Sequence, residues 1–587
     1  MDRMTKSSIK DFVKNMEIEA KDIEALEKKE LSRIFEYFSA YTIISKFNEG
    51  YFDLADTVSG GSNDIAIDSI AIIAGGVMVN NFEEAQDLFE KASKIPEVEF
   101  IIIQSKISSN FAGVDIRNFG DGVKDLFSEN PLLLHNEFIK EKRKITEYII
   151  ENAVKVGSFS CRLFYVTTGV WQRDRNILGK IEMVKQTLQG LSIFDNITFD
   201  SLGAKEIRDY YRQTKEKVTA TIIFSDKVTL PEMNGVTEAY IGFLPVSEYL
   251  KLIEDETGTI RKSVFYDNVR DFQGGENEVN KKIANTITSE TAGRLVILNN
   301  GVTIITKEIN QARMTFTLKD YQIVNGCQTS HVIFNNKEEL NKDICIPVKI
   351  ICTEDEEAIS QVIVANNSQT EIKKEALLAM NDFQKELEVF YNSVSDSHLK
   401  LYYERRSKQF DTMPNVEKVR IISIATQIKS FAAMFLDKPH QASRYFGQIL
   451  DNSENEIFND SHNLMPYYTS ALGLYKLEFY FRNKNLDSVY RKFRFHLLMM
   501  LKYYICSDKL SKLNSKKVSD VCDVMNRILL SDKAEDVFRF LIDMIEASIE
   551  NPRELDISKK SQLVDTLIIK AKSASKQDSY EQFLTLV

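Results

Sequence analysis

Glycine turns between short apolar segments constrain the middle of this chain more than any other feature. Arg294–Leu298 is apolar, Asn299–Gly301 is a turn sequence, and Val302–Ile305 is β-branched. Together these three segments predict a β-hairpin. Met314–Leu318 and Tyr321–Val324 predict a further pair of strands.

A second turn, Asn325-Gly326, leads into a helix-like segment that runs through His331 to Phe334. The first turn of a helix has free backbone N–H groups and a positive dipole end, which suit a phosphate. We therefore hypothesise a pocket for a nucleotide or another phosphate-bearing ligand. Its predicted lining residues are Asn300, Gly301, Asn325, Gly326, Gln328, Thr329, Arg270, Asn367 and Gln369. A hairpin and a capped helix without any ligand are the alternative, because turn amides often bond only the neighbouring backbone.

Three short motifs in this region follow one another in order. They are NVR at Asn268–Arg270, NNGVT at Asn299–Thr303 and VNGCQT at Val324–Thr329. The ordered set resembles the signature of the AIPR family, the abortive-infection phage resistance proteins, over roughly residues 220–440, with YYERR at Tyr402–Arg406 as a further element. The resemblance implies a role in antiphage defence.

A weaker resemblance is to the ParB-like and DGQHR-type nucleotide- or DNA-binding fold. It is based on the NG-Q turn and on the sequence ANNSQT at Ala365–Thr370. This resemblance implies a ParB-like central module that binds a nucleotide. The His and Arg of the usual Asp-Gly-Gln-His-Arg motif are missing at Gln328 and Thr329, so nucleotide hydrolysis is not implied.

An acidic residue interrupts the apolar segment Gly60–Ile73, which predicts a strand. This residue is Asp68, and an ionised carboxylate is costly to bury unless it is paired or binds a metal. After a helical segment, Phe82–Lys94, the sequence FIIIQSK predicts another strand. Side chains alternate along a strand, so Gln104 and Lys106 are expected on the same face.

A strand with Asp beside one that ends in Gln-x-Lys resembles the PD-(D/E)XK nuclease core in its Mrr-like form. The resemblance implies that Asp68, Gln104 and Glu36 hold Mg²⁺ or Mn²⁺, and that Lys106 positions or activates the attacking water. Mg²⁺ takes only one or two carboxylates from a protein, so the sparse set is sufficient. The separation of Asp68 from Gln104 is long for this fold and implies an inserted helix. A structural ion pair between Asp68 and Lys106 is the alternative.

The order of predicted elements divides the chain into three parts. Residues 1–215 form an α/β nuclease-like domain, residues 216–375 form an α+β central module, and residues 376–587 form a mainly α-helical region. Arg405, Arg406 and Lys408 lie among aromatic residues in the last part and are predicted to contact nucleic acid, with a structural role on an amphipathic helix as the alternative. For a second basic cluster, Arg491–Arg494, we favour a structural role on an amphipathic helix.

Composition narrows the class of protein. At 587 residues the chain exceeds what one hydrophobic core supports, so several domains are expected. The net charge of −11 means that any contact with DNA or RNA must come from local basic patches. The six cysteines form no C-x-x-C pair, so neither a zinc ribbon nor a disulfide scaffold is predicted. No signal peptide or membrane span is predicted, and we expect a cytoplasmic protein without a membrane partner.

Three functional hypotheses follow. The first is an antiphage nuclease that acts on DNA or RNA and is controlled by the AIPR-like module. The second is a non-catalytic nucleotide- or nucleic-acid-binding regulator, and the third is a scaffold of a defence complex. The presence of Asp68, Gln104 and Lys106 favours the first. A phage-derived trigger, other defence proteins and a second copy of the chain are expected partners.

Overall fold

The structure is a computed structural model in which the described residues form a mixed α/β protein with a helical C-terminal region. It describes residues 1–19, 26–48, 50, 52–255, 258, 260–265, 278–287, 289, 292–338, 340, 344–367, 381–394, 396, 398, 400–406, 409–410, 413, 415–444, 446–451, 453, 456–507, 510–554 and 556–577. The domain boundaries at 215 and 375 stay predictions.

The first sheet is built from the apolar segments around Asp68 and Gln104. Its strands, in the spatial order β2-β1-β3-β4-β5, are β1 (Ser69–Ala74), β2 (Val77–Met78), β3 (Val98–Lys106), β4 (Phe159–Thr167) and β5 (Asn196–Leu202). β1 runs antiparallel to β3 with Ser69 opposite Ile103, whereas β3, β4 and β5 are parallel. Strands β3 and β4 contain the continuous apolar runs Phe100–Ile103 and Leu163–Val166, because helices cover both faces of the sheet.

The helices of this first unit are α1 (Arg3–Asn15), α2 (Lys28–Phe47), α3 (Phe82–Lys91), α4 (Gly113–Phe127), α5 (Glu137–Glu151), α6 (Arg175–Gln189) and α7 (Ala204–Gln213). α1, α2 and α7 pack on the face that includes Ile101 and Ile103. α3 to α6 pack on the face that includes Ile102. α3 lies between Asp68 and Gln104 in the chain, so the inserted helix is confirmed.

The second sheet contains the glycine turns. Its strands, in the order β6-β10-β9-β11-β8-β7, are β6 (Thr219–Ile223), β7 (Asp226–Thr229), β8 (Glu238–Pro245), β9 (Val302–Ala312), β10 (Thr315–Asn325) and β11 (Cys345–Cys352). The helices around it are α8 (Val246–Ile253), α9 (Glu278–Ile287), α10 (Leu295–Leu298), α11 (Cys327–Asn335) and α12 (Glu356–Asn367). The strands predicted at Met314–Leu318 and Tyr321–Val324 are one strand, β10, which pairs with β9.

The strand predicted over Arg294–Leu298 is wrong. Leu295–Leu298 forms the short helix α10, preceded by a 3₁₀ turn over Ala292–Arg294. A four-residue apolar segment fits a buried strand or a buried helical turn equally well, and periodicity does not separate the two. The Asn299 side chain accepts a 2.8 Å hydrogen bond from Gly301 N, which turns the chain from α10 into β9.

The remaining described residues are mainly helical, as predicted, and share one hydrophobic core. The helices are α13 (Asp382–Ser393), α14 (Ile424–Phe435), α15 (Phe446–Asp451), α16 (Met465–Arg482), α17 (Arg494–Cys506), α18 (Lys516–Leu530), α19 (Ala534–Glu546) and α20 (Ser561–Gln577). A small parallel pair, β12 (Tyr402–Glu404) and β13 (Ile421–Ser423), lies at one side. Within the described part of the chain, each helix is too short or too polar to cross a membrane.

Charge pairs join the first unit to the helical region, and most have the acid on the first unit. They are Glu17 with Arg420, Glu83 with Lys559, Glu84 with Lys429, Asp87 with Arg444, and Asp53 and Asp56 with Arg491. We call this set the docking interface. In two further pairs, Lys91–Asp451 and Lys144–Asp556, the cation lies on the first unit and the acid on the helical region. The largely buried Arg491 also pairs with Glu478 at 2.7 Å, so it has a structural role, but through ion pairs on a 3₁₀ helix rather than on the amphipathic helix that was predicted.

Candidate active site

The start of β1 fixes Asp68 against the end of β3. Asp68 N donates to Ile103 O at 2.9 Å, and Asp68 O accepts from Ser59 N at 2.8 Å. The carboxylate Oδ2 accepts a 2.6 Å hydrogen bond from Ser105 N. Asp68 is the residue before the strand rather than part of it, and it is buried. Three hydrogen bonds therefore position this carboxylate in an apolar sheet.

The two β3 side chains that were predicted to share a face lie next to it. Gln104 is 1% exposed, and its Oε1 has no hydrogen-bond partner among the described residues. Lys106 is half-buried and lowers the pKa of Asp68, yet it makes no direct salt bridge with any carboxylate in the described ranges. The arrangement differs from the structural ion pair between Asp68 and Lys106 that was the alternative.

Glu36, on helix α2, interacts electrostatically with Asp68 and Lys106. Burial and the neighbouring charge of Asp68 raise the pKa of Glu36 to about 7, against the effect of Lys106. Burial also raises the pKa of Asp68 to about 6, although Lys106 and the Ser105 N–H act in the opposite direction. The predicted residues Glu36, Asp68 and Lys106 therefore lie within electrostatic reach of one another.

The loop that leads into Asp68 has an uncommon backbone. Asn63, Ile65 and Ala66 have positive φ angles of 61°, 50° and 60°. The left-handed region is unfavourable for a β-branched residue such as Ile65. The loop is held against α4 at Gly122, where an added Cβ would overlap the carbonyl oxygen of Ile65. Local strain of this kind is found at functional sites, where surrounding structure maintains it.

Three residues near the site were missed by the sequence analysis. Asp64, in the same loop, raises the pKa of both Glu36 and Asp68. Tyr165 lies beside Gln104 on β4, and its hydroxyl donates to Asp115 Oδ2 at 3.3 Å. Burial raises the pKa of Tyr165, and Asp115 and Asp68 raise it further. The pairing of β3 with β4 places Tyr165 beside Gln104, and no pattern within the sequence indicates this neighbour.

The donor set at this place is two carboxylates and one amide oxygen. The described residues include no group of three or more His, Cys, Asp or Glu side chains suited to a metal ion. Mg²⁺ needs fewer, since it prefers oxygen ligands and keeps several waters. A buried amide oxygen without a partner, such as Gln104 Oε1, requires an explanation, and a cation ligand is one. The residues present therefore fit Mg²⁺ or Mn²⁺.

The two glycine turns of the second sheet, at Gly301 and Gly326, lie next to each other. Gly301 and Gly326 have φ angles of 84° and 108°, and a Cβ at Gly326 would lie 2.7 Å from the Val302 side chain. The Asn299 amide donates to Thr329 Oγ1 at 2.9 Å, and Thr329 is buried. Thr329 is thus engaged within the protein, as the alternative without a ligand requires.

The other residues of the predicted phosphate pocket are placed as follows. Asn300 is exposed, Asn325 is half-buried opposite Thr303, and Gln328 is half-buried at the start of α11. Arg270, Gln369 and the side chain of Asn367 lie outside the described residues. The phosphate pocket stays a prediction.

The basic cluster near residue 405 is only partly described. Arg405 is buried, and its Nε donates to Glu388 Oε2 at 2.6 Å. Arg406 is half-buried, and Lys408 lies outside the described residues. Nucleic-acid contact by this cluster stays a prediction, while Arg405 has a clear structural partner.

A family model described as AIPR protein matches residues 265–553, which include the glycine turns and most of the helical region. The match is consistent with a role in abortive infection or antiphage defence. Neither the curated proteins nor the solved structures give a match.

Proposed function

Since the family match supports an AIPR protein, we propose that this chain acts in antiphage defence and that its first unit is a metal-dependent nuclease. The observation that carries the nuclease proposal is the meeting of Asp68, Gln104 and Lys106 where β1 and β3 pair. Phosphodiester hydrolysis needs a group that balances negative charge and a group that positions water, and these residue types provide both.

Asp68, Gln104 and Glu36 would hold Mg²⁺ or Mn²⁺. A bound divalent ion would supply Lewis-acid stabilisation of charge on the phosphate. Asp68 is fixed by three backbone hydrogen bonds, so it is already oriented before any ligand binds. Preorganised groups of this kind lose no free energy to reorganisation during the reaction.

The Lys106 ammonium would bind the attacking water and the phosphate oxygens. It makes no direct salt bridge with a carboxylate of the described residues, so its protons are available to a ligand. Its position at the end of β3 places it on the same side of the strand as Gln104. Arg33, one turn before Glu36 on α2, lowers the pKa of Glu36 and adds positive charge nearby.

The docking interface gives the family-matched segment a physical route to this unit. Arg420, Lys429, Arg444 and Arg491 all fall within residues 265–553 and pair with acids of the first unit. A change in the matched segment that moves these cations would alter the support of the sheet. We propose that this contact transmits control of the nuclease.

The test uses the full chain with labelled single-stranded and duplex DNA and RNA. We expect cleavage with Mg²⁺ or Mn²⁺ and none with EDTA. Asp68→Ala and Lys106→Ala should each abolish cleavage while retaining the fold by circular dichroism. Glu137→Ala and Lys140→Ala are matched controls, since this exposed pair lies on α5 of the same unit.

A second measurement is independent of turnover. Calorimetric titration of Mn²⁺ should show binding to the wild type and its loss in Asp68→Ala. Cleavage that persists undiminished in both Asp68→Ala and Lys106→Ala would place the active site elsewhere. Equal Mn²⁺ binding by wild type and Asp68→Ala would refute the proposed metal site.

A further inference from the structure

An aromatic row leads from the candidate active site towards the surface. Tyr165, next to Gln104 on β4, lies with its ring centroid 5.8 Å from that of Phe111. Phe111 in turn lies 4.7 Å from Trp171, with the two rings tilted by 53°. Tyr165 is buried, whereas Phe111 and Trp171 are half-buried. Each ring after the first is therefore closer to solvent.

The two outer rings stand on loops that follow β3 and β4, and short contacts tie these loops together. Thr168 Oγ1 donates to Ser108 O at 3.1 Å and joins the two loops, while Ala204 N at the start of α7 donates to Gly169 O at 2.7 Å and fixes the second loop. Gly169 has no room for a side chain, because an added Cβ would overlap Ser109 O. These are the carboxyl ends of parallel strands, where α/β sheets bind their ligands. The rings are thus held on loops that follow the strand ends, and β3 ends at Lys106.

The surface around the rings is apolar and basic. Val114 and Val170 are 56% and 72% exposed. Arg117, Arg173 and Arg175 are exposed and make no salt bridge with a carboxylate of the described residues. This local positive charge contrasts with the net charge of −11 for the whole chain.

Two acids nearby are held by other groups rather than by these arginines. Asp174 accepts from Asn176 N at 2.9 Å and caps α6, and Asp115 accepts from the Tyr165 hydroxyl. A further cation, Lys180, lies against Gly113 at the start of α4. Half-buried rings with flanking arginines are the two components that bind a nucleic-acid strand without regard to its sequence.

We propose that Phe111 and Trp171 stack on the bases of a single-stranded nucleic acid and that the neighbouring arginines hold its phosphates. The inference rests on the proposed nuclease function, and it names the substrate as a single strand. Bases in a duplex are stacked on one another, so side-chain rings reach them only where the strand is unpaired. The strand would run from Trp171 past Phe111 towards Asp68 and Lys106.

Trp171 is the only tryptophan of the chain, so its fluorescence reports on this place alone. The experiment uses full-length Asp68→Asn in EDTA, so that no cleavage occurs. We expect a short thymidine oligonucleotide to quench the Trp171 emission. An abasic strand of equal length should leave the emission unchanged, because it offers phosphates without bases. Binding of both strands is followed separately by anisotropy with labelled samples.

Phe111→Leu in the same background should weaken binding of the thymidine strand roughly tenfold, because stacking on one ring is lost. Phe82→Leu is the matched control. Phe82 is also a half-buried ring of this unit, but it packs against Tyr148 at 5.3 Å and away from the aromatic row. Its substitution should leave the affinity unchanged.

The possible failures are distinguishable. Binding without quenching, or quenching by a duplex as strong as by the single strand, overturns the stacking inference and leaves the nuclease proposal in place. Failure of every oligonucleotide to bind overturns both. If Phe111→Leu does not fold, the comparison of thymidine and abasic strands with the Asp68→Asn protein decides the matter.

Discussion

The carboxylate of Asp68 accepts a 2.6 Å hydrogen bond from the backbone N–H of Ser105. This bond joins the residue before β1 to the residue between Gln104 and Lys106 on β3. Two segments more than thirty residues apart in the chain thereby present their polar groups at one place. An ionised carboxylate here is costly, and the protein keeps it in spite of that cost.

Replacing Gln104 by leucine should stabilise the protein and remove its metal affinity. The substitution relieves a buried oxygen without a partner in the described structure, so we expect the free energy of unfolding to rise by about 1 kcal/mol. Calorimetry should show that Mn²⁺ binding is lost. Gln186→Leu, at an exposed position of α6, should change neither quantity. A destabilised Gln104→Leu protein would mean that the amide makes a bond important for the fold.

Asp68→Asn should stabilise the first unit, and the gain should depend on pH. The folded-state pKa of Asp68 is raised from 3.8 to about 6, so ionisation destabilises the fold. The gain in the free energy of unfolding is absent below the ordinary pKa of an aspartate and grows as the pH rises from about 4. Above the folded-state pKa the gain is complete and amounts to about 1–3 kcal/mol. Hydrogen exchange of the β1 and β3 amides at pH 5 and pH 8 measures it. An equal gain at both pH values, or a larger gain at pH 5, would contradict the assignment.

Gly122→Ala should disturb the loop that leads into Asp68. The new Cβ would overlap Ile65 O, so the loop or α4 must move, and we expect a loss of about 1–3 kcal/mol in unfolding free energy together with reduced cleavage. Gly179→Ala on α6 is the control. Nothing lies near its added Cβ, and alanine favours a helix over glycine by about 1 kcal/mol. Cleavage by Gly122→Ala at the wild-type rate would show that the loop conformation does not matter for the site.

Arg491→Gln should loosen the docking interface. Arg491 lowers the pKa of Asp56 against the effect of burial, and it also pairs with Asp53 and Glu478. Its removal leaves Asp53 without this cation, while Asp56 and Glu478 keep only their longer contacts with Arg494. Breaking a buried ion pair in this way typically costs about 3–5 kcal/mol. Thermal unfolding and limited proteolysis between the two regions should detect this change.

The control for that experiment is Arg539→Gln. Arg539 is 53% exposed and pairs with Glu535 within one helix, so its loss should cost about 0–1 kcal/mol. If the two variants unfold alike, the docking interface contributes no more than a surface ion pair.

Much of the fold followed from local patterns. The segment FIIIQSK lies in β3 because its continuous apolar run is typical of a buried strand, and the helix expected between Asp68 and Gln104 forms as α3. The segment Arg294–Leu298 is too short for the spacing of its apolar residues to distinguish a strand from a helix. The sharing of one strand face by Gln104 and Lys106 also needed only the alternation of side chains.

Only the tertiary structure decided which of these groups meet. Tyr165 and Glu36 come to Asp68 through strand pairing and helix packing between distant segments, and Arg405 is paired with Glu388 although the sequence presents it as one of several cations. The sequence alone predicts most of the elements and the residue types of the proposed nuclease site. Burial, the raised pKa values of Asp68 and Glu36, and the unpartnered oxygen of Gln104 arise only when those elements pack, because each depends on neighbours that lie far away along the chain.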